Sequence, residues 1–262
     1  LVIGPSQDTL IKLNRLGFKK VGDMNWHNHT GILTTPIQIA AKYKIPYVIY
    51  GEPFWDISGM FKPEDFVEFT NRVRLEFGMR GYEWDNMIKD AKEKLSAKDM
   101  VWAKYPSDKE LMEVGVRGLY IGNFFKWDPN KHTELMIKKY GWKQSKKKFQ
   151  RTYRRMSNID DRYENGIHDY MKFIKFGYGR ATDHSSKDIL TGYMSREEGI
   201  KKVKKHDHIL SNDLDYWLNY VDMKKIDFLK TADKFRSNKV WFIKNNKWLK
   251  ENIWGGHSSY GD

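Results

Sequence analysis

TTPIQIAAKYKIPYVIYGE, residues Thr34 to Glu52, sets two periodicities side by side. Ile37, Ala40 and Ala41 recur at helical spacing, with Pro36 near the start, where a missing N–H costs little. After Pro46 the run YVIY is short, apolar and rich in β-formers, as in a buried strand. Helices that alternate with such strands predict a parallel sheet. In open sheets of that kind ligands lie beyond the carboxyl ends of the strands, which here means Gly51 and Glu52.

The same alternation extends in both directions. Upstream, LVIG reads as a strand and PSQDTLIKLNRLGF as a short helix with Leu10, Leu13 and Leu16 on one face and Gly17 as its C-cap. Downstream, KPEDFVEFTNRVRLEFG predicts a helix opened by Pro63, with Phe66, Phe69, Val73 and Phe77 in one stripe. SDKE from Ser107 is a capping box, VRGLYIGNFF a further strand ending at Gly122, and Asp128-Pro129 opens a helix that Gly141 closes. Beyond the basic stretch 143–155 the pattern turns mainly helical. Ser195 and Glu198 form a second capping box, and Asp222 caps MKKIDFLKTADKF. The expected organisation is an α/β core over residues 1–142 and a mainly helical extension over 143–262.

Composition narrows the function. With 47 Lys+Arg against 34 Asp+Glu the formal charge is +13, which favours nucleotides, nucleic acid, acidic sugars or an anionic membrane face. The competing reading is lysines that simply solvate helix faces, since only Lys146-Lys147-Lys148 and Lys201–Lys205 are dense groups. The absence of cysteine excludes disulfides, thiolate metal sites and a cysteine nucleophile within these residues, and fits a reducing compartment. No window approaches the roughly 18 apolar residues of a membrane span and no signal-peptide pattern opens the chain, so a cytoplasmic protein is expected. Leu1 falls inside an apparent strand, which predicts residues upstream.

Four stretches carry candidate chemistry. In KFIKFGYGRATDHSS, Lys172 to Ser186, an apolar helical stripe containing Tyr170, Phe173 and Ile174 is broken by GYGR. Gly177 and Gly179 let the backbone approach a phosphate, Lys175 and Arg180 supply charge, and amides before the next helix complete an anion nest. Asp183 is placed to hold Mg²⁺ or to orient His184; a capped helix end with surface charges is the alternative. In GDMNWHNHTGI, read as a loop between tight turns, Trp26, His27, His29 and Thr30 form a polar cluster beside an aromatic. Its histidines at i, i+2 either ligate metal or, as is commoner, hydrogen-bond. Glu52 follows a buried strand, as a metal, base or ligand-orienting carboxylate or as a partner of the next turn's amides. NIDDRYENGIHDY sets Asp160, Asp161 and Glu164 beside KKKFQRTYRR, an ion-paired surface or, with its interleaved aromatics and arginines, a single-stranded nucleic-acid site. Asp207, between His206 and His208 at a helix end, carries little weight as a metal ligand.

Taken together, GDMNWHNHTGI, IPYVIYGE, VRGLYIGNFFKWD, NGIHDYMKFIKFGYGRATDHSS and MSREEGIKKVKKHD resemble the N-acetyl sugar amidotransferase family of bacterial surface-polysaccharide synthesis, over about Leu1 to Asp207. FGYGRATDHSS is the most specific of these motifs. The resemblance implies a PP-loop ATP pyrophosphatase with a Rossmann-like sheet. It implies that ATP, with Mg²⁺, activates the amide oxygen of an N-acetyl group on a nucleotide-linked sugar. Ammonia then gives an acetamidino group in lipopolysaccharide or O-antigen synthesis. The ammonia would come from a glutaminase subunit of the histidine-biosynthesis type, sometimes accompanied by a cyclase-like barrel. Mapped onto this sequence, Glu52, Asp183 and His184 become catalytic candidates. Lys175, Gly177, Gly179, Arg180 and Ser185 become phosphate contacts, Asp183 the metal ligand, and Trp26, His27, His29 and Thr30 the sugar contacts. The family's glycine-serine-rich phosphate loop and cysteine-containing segment do not occur here, and Leu1 falls after their place. This polypeptide alone is therefore expected not to catalyse transfer. The alternatives are a nucleic-acid-binding or tRNA-modifying protein, disfavoured by the lack of cysteine and of an added RNA domain, and a non-catalytic subunit that docks a glutaminase.

Overall fold

A computed structural model describes residues 2–51, 63–89, 92–156 and 163–259; Glu52, Asp160 and Asp161 lie outside them. The chain forms two compact units, Leu1–Val21 with Asn25–Lys143, and Gly22–Met24 with Gln144–Asp262. The described residues are mixed α/β, mostly helical, with two small sheets.

In the first unit, α1 (Gln7–Val21) and α2 (Trp26–Tyr43) precede β1 (Tyr47–Tyr50). The helical periodicity of Thr34–Tyr43 begins eight residues earlier than the sequence suggested. Trp26, Thr30, Leu33, Thr34, Ile37 and Ala40 form one buried stripe, in which two small hydroxyl residues pack as apolar ones do. NWHNHTGI is thus helix and not loop, and Pro36 sits inside α2. Gly17 is likewise interior to α1, and residues 2–6 form no strand.

The sheet runs β1–β3–β2, with β2 at Glu68–Phe69 and β3 at Arg117–Tyr120. β1 and β3 pair in parallel, Tyr47 opposite Arg117 and Tyr50 opposite Tyr120, while β2 is antiparallel to β3. The parallel arrangement inferred from alternation is therefore one pair of strands. β3 stops before Gly122, where a 3₁₀ turn over Ile121–Asn123 takes over. The single helix expected after Pro63 is instead a 3₁₀ turn, β2, a short α3 (Asn71–Val73) and a π-turn over Arg74–Gly78. Phe69 supplies the reason, because as a strand residue it stacks on Tyr50 at 5.0 Å. Gly118 permits that approach: a Cβ there would lie 2.5 Å from Phe69.

Leu33 and Ile37 of α2 meet Tyr50, Phe69, Val73 and Tyr120 in one core. A second core joins Leu13, Leu16 and Trp26 to Met79, Met87, Met100 and Trp102, around α4 (Trp84–Ile88). Arg74 is fully buried beneath Tyr105, with its guanidinium paired to Glu83. α5 (Asp108–Val114) has the expected Ser107–Glu110 capping box. α6 (Pro129–Tyr140) is capped by the Asp128 carboxylate, which accepts from Asn130 N and Lys131 N at 3.1 Å, and is closed by left-handed Gly141.

The second unit centres on α7 (Asn165–Phe176), whose Tyr170, Phe173 and Ile174 are buried as the periodicity predicted, together with Ile167 and Met171. Around it lie α8 (Arg180–Leu190), α9 (Arg196–His206), α10 (Asp213–Val221) and α11 (Lys225–Asp233). α9 opens with the Ser195–Glu198 capping box. Asp222 does not cap α11; it takes a left-handed conformation that ends α10. An antiparallel sheet of β4 (Trp241–Lys244), β5 (Lys247–Glu251) and β6 (His257–Ser259) adds to the expected helices. Asn245 and Asn246, both at positive φ, make its two-residue turn. Trp241 anchors the sheet, meeting Phe173 edge-on at 5.5 Å and donating its indole N–H to the Ile174 carbonyl at 2.7 Å.

Candidate functional site

The turn between α7 and α8 holds the residues singled out in the sequence. Gly177 ends α7 at φ 74°, and its N–H bonds the Phe173 carbonyl at 2.8 Å. The left-handed conformation and a Val240 methyl 2.5 Å from any added Cβ both require glycine here. Gly179 precedes the first turn of α8, whose free amides form an electropositive end. The carboxylate of Asp207, just past α9, fills that end. It accepts from Gly179 N at 2.8 Å, Thr182 N at 3.1 Å and Thr182 Oγ1 at 2.5 Å. The nest predicted for a phosphate is thus closed by the chain's own anion. Burial pushes the Asp207 carboxyl up, against the lowering effect of these donors.

The charged residues of the turn are also matched internally. Arg180 reaches Asp169 through Nε at 3.0 Å and a terminal nitrogen at 2.8 Å, and lies 3.7 Å from Asp183. Asp183 pairs with Lys172, and Arg151 closes on the other oxygen of Asp169. Burial alone would push the Asp169 carboxyl up; Arg180, His168 and Arg151 overcome this and hold it well below the usual carboxylate range. A parallel cluster joins Arg154 and the Tyr153 hydroxyl to Asp188. His184 does not meet Asp183. Its Nδ1 lies 2.6 Å from the Thr152 hydroxyl, and burial, followed by Arg154 and Arg180, pushes the imidazole well below its ordinary range and keeps it neutral. Ser185 is buried beside it in α8.

Residues 147–253 match the family model of the LPS biosynthesis protein WbpG-like, C-terminal domain. The match covers the C-terminal part of the chain and is a similarity to a domain of lipopolysaccharide biosynthesis proteins. No curated protein matches the chain. Arg151, Thr152, Arg154, Asp169, Lys172, Arg180, Asp183, His184, Asp188 and Asp207 all lie inside the matched residues. Asp183, His184 and Arg180 stood out in the sequence as site candidates and Arg151 only as part of the basic stretch KKKFQRTYRR; Lys172, Asp169 and Asp188 did not. A carboxylate such as Asp169, set among the apolar residues of α7, signals a buried cation partner, because an unpaired charge there would be too costly.

The remaining candidates behave differently. Lys175 stacks its ammonium 5.6 Å from the Phe235 ring. In the first unit, Trp26 is fully buried and donates its indole N–H to the Met79 carbonyl at 3.1 Å, so it is a core residue and presents no face to a sugar. Thr30 is also fully buried. On a helix, His27 and His29 at i, i+2 do not face each other, which removes the geometry of a shared metal. Among the described residues no group of three or more His, Asp or Glu side chains is arranged to hold a metal ion, and no helix is long and apolar enough to cross a membrane. As placed, the α7–α8 turn does not fit ATP phosphates or Mg²⁺. Its Gly179 and Thr182 amides and its arginine are engaged, and Asp183 already neutralises a lysine while facing Arg180.

Proposed function

We propose that this protein acts in lipopolysaccharide or other surface-glycan synthesis as part of an amidotransferase, one that replaces the amide oxygen of an N-acetyl group on a nucleotide-linked sugar by nitrogen. The observation that carries this reading is the WbpG-like match over residues 147–253. It coincides with the segment in which the sequence most resembles N-acetyl sugar amidotransferases.

In this reading the parallel β1–β3 pair belongs to a Rossmann-like sheet, and residues 1–142 and 143–262 are the two working regions. ATP, Mg²⁺ and a glutaminase that supplies ammonia complete the reaction. We assign the ATP and Mg²⁺ sites to residues other than those of the α7–α8 turn. Arg180, Asp183 and Asp169 act as positioning residues that fix α7 against α8. Burial and the neighbouring arginines that keep His184 neutral make it a weak base at pH 7, so Glu52 is retained as the candidate base and His184 as a hydrogen-bonding group. Nucleotide-linked substrates place the protein in the cytoplasm.

The nucleic-acid reading loses its strongest residues, since Arg151, Tyr153 and Arg154 of KKKFQRTYRR are committed to Asp169 and Asp188. The decisive experiment incubates the protein, as its cells make it, with ATP, ammonium and a panel of N-acetylated nucleotide sugars. Pyrophosphate release that depends on one sugar, with mass spectrometry showing one oxygen exchanged for NH, is expected. A folded protein that releases none with any sugar would overturn the amidotransferase reading. Loss of O-antigen banding on gene deletion would still stand for the broader role.

A further inference from the structure

The helix α6 is capped at both ends yet buries none of its 12 residues. Isolated helices of that length are marginal in water, and most helical stability in proteins comes from packing an apolar face. α6 has such a face. Met136, Ile137 and Tyr140 fall on one side of the helix and are exposed, Tyr140 by 63%. Trp142 just after the helix and Phe124 and Phe125 just before it are exposed as well, Phe125 by 68%. The opposite arc carries Lys131, Lys138 and Lys139, and over residues 124–143 five exposed lysines face two carboxylates. One of those carboxylates, Asp128, is buried at the cap.

We propose that α6 and its flanks dock this protein on an anionic lipid surface. Phenylalanines and Met136 would enter the acyl boundary, Trp142 and Tyr140 would sit at headgroup level, and the lysines would meet lipid phosphates. The observations favour lipid over a protein groove for two reasons. Large apolar and aromatic side chains on one arc and lysines on the other are the composition of interfacial helices. The charge is predominantly positive, with five exposed lysines against the exposed Glu134, which lies 3.9 Å from Lys138, so an anionic surface is complementary to the segment. α6 is too short and too interrupted by lysine to span a bilayer, so the contact is peripheral. This inference stands independently of the amidotransferase reading.

The full chain is tested by co-sedimentation with vesicles of equal phosphatidylglycerol and phosphatidylcholine, and with phosphatidylcholine alone. Binding at least tenfold tighter to the anionic vesicles, weakened by high salt, is expected. Phe125→Ser with Tyr140→Ser, and separately Lys138→Gln with Lys139→Gln, should each weaken it about tenfold or more while leaving the circular dichroism spectrum and thermal melt unchanged. Equal affinity for both vesicle types, no sedimentation, or binding indifferent to both double variants would overturn the proposal. So would a concentration-dependent dimer in light scattering that the serine variant abolishes, which would assign the same face to a second copy of the chain.

Discussion

Replacing Asp169 would leave Arg151 and Arg180 without their shared carboxylate inside the protein. Breaking a buried pair from one side costs about 3–5 kcal/mol, so Asp169→Asn should lower the urea midpoint sharply at pH 7. Because the folded carboxyl is held below its ordinary range, its contribution is present above the unfolded value of about 3.9 and is lost as pH falls towards the folded one. Denaturation midpoints followed from pH 6 to pH 3 should drop steeply in the native protein and less in the variant. His184 acts in the same direction in a milder range. Its folded imidazole is depressed, so the unfolded chain takes up the proton first, and stability declines as pH falls through about 6.5. His184→Gln should reduce the difference between melting temperatures at pH 7.5 and pH 5.5. Asp207→Ala would remove the acceptor of the first amides of α8, at a cost of about 1–2 kcal/mol. The exposed helix end should then take up inorganic phosphate, so that phosphate raises the melting temperature of the variant and leaves the native protein unmoved. At this scale the sequence picked out charged side chains of the α7–α8 turn but not the partners they meet within the chain. Charge and glycine content are local properties, whereas Asp207 reaches Gly179 across 28 positions of sequence.

Elements whose boundaries are written in local chemistry were legible. The two capping boxes, the Asp128-Pro129 opening and Gly141 closing of α6, and the YVIY strand all formed where their residues predicted, although YVIY is not the buried strand expected, since Tyr47 and Ile49 are exposed and only Tyr50 is buried. α2 was legible only in its second half, because Thr30 and Thr34 read as polar while packing as core. Residues 63–78 were misread because the stripe Phe66, Phe69, Val73, Phe77 has helical spacing, yet pairing with β3 offers Phe69 a better burial than a helix face would. The break between α7 and α8 gives the test at this scale. Gly177→Ala must hold a left-handed backbone and push its Cβ towards Val240, so a loss of about 1–2 kcal/mol is expected in thermal or urea unfolding.

For the whole molecule, the change in pattern near residue 143 was visible as a basic stretch followed by helices. The second unit's sheet was missed, although WFIK and KWLKE flank an Asn-Asn pair of the two-residue hairpin type, because each run is short and mixes apolar with charged residues. Nor could local reading have found that Gly22–Met24 belongs to the second unit. Gly22 has φ 60°, and a Cβ there would lie 2.8 Å from Lys175 and 3.0 Å from Phe235. Asp23 lies 3.8 Å from His168, and Met24 is fully buried. The second unit is therefore sewn from two separate lengths of chain, and a cut at 143 removes one of its stitches. A fragment of residues 144–262 should melt well below the intact protein, with residues 22–24 supplied on a peptide restoring part of the difference. During synthesis those three residues leave the ribosome more than a hundred positions ahead of the partners they pack against. The second unit completes its packing by reaching back to a segment made well before the rest of it.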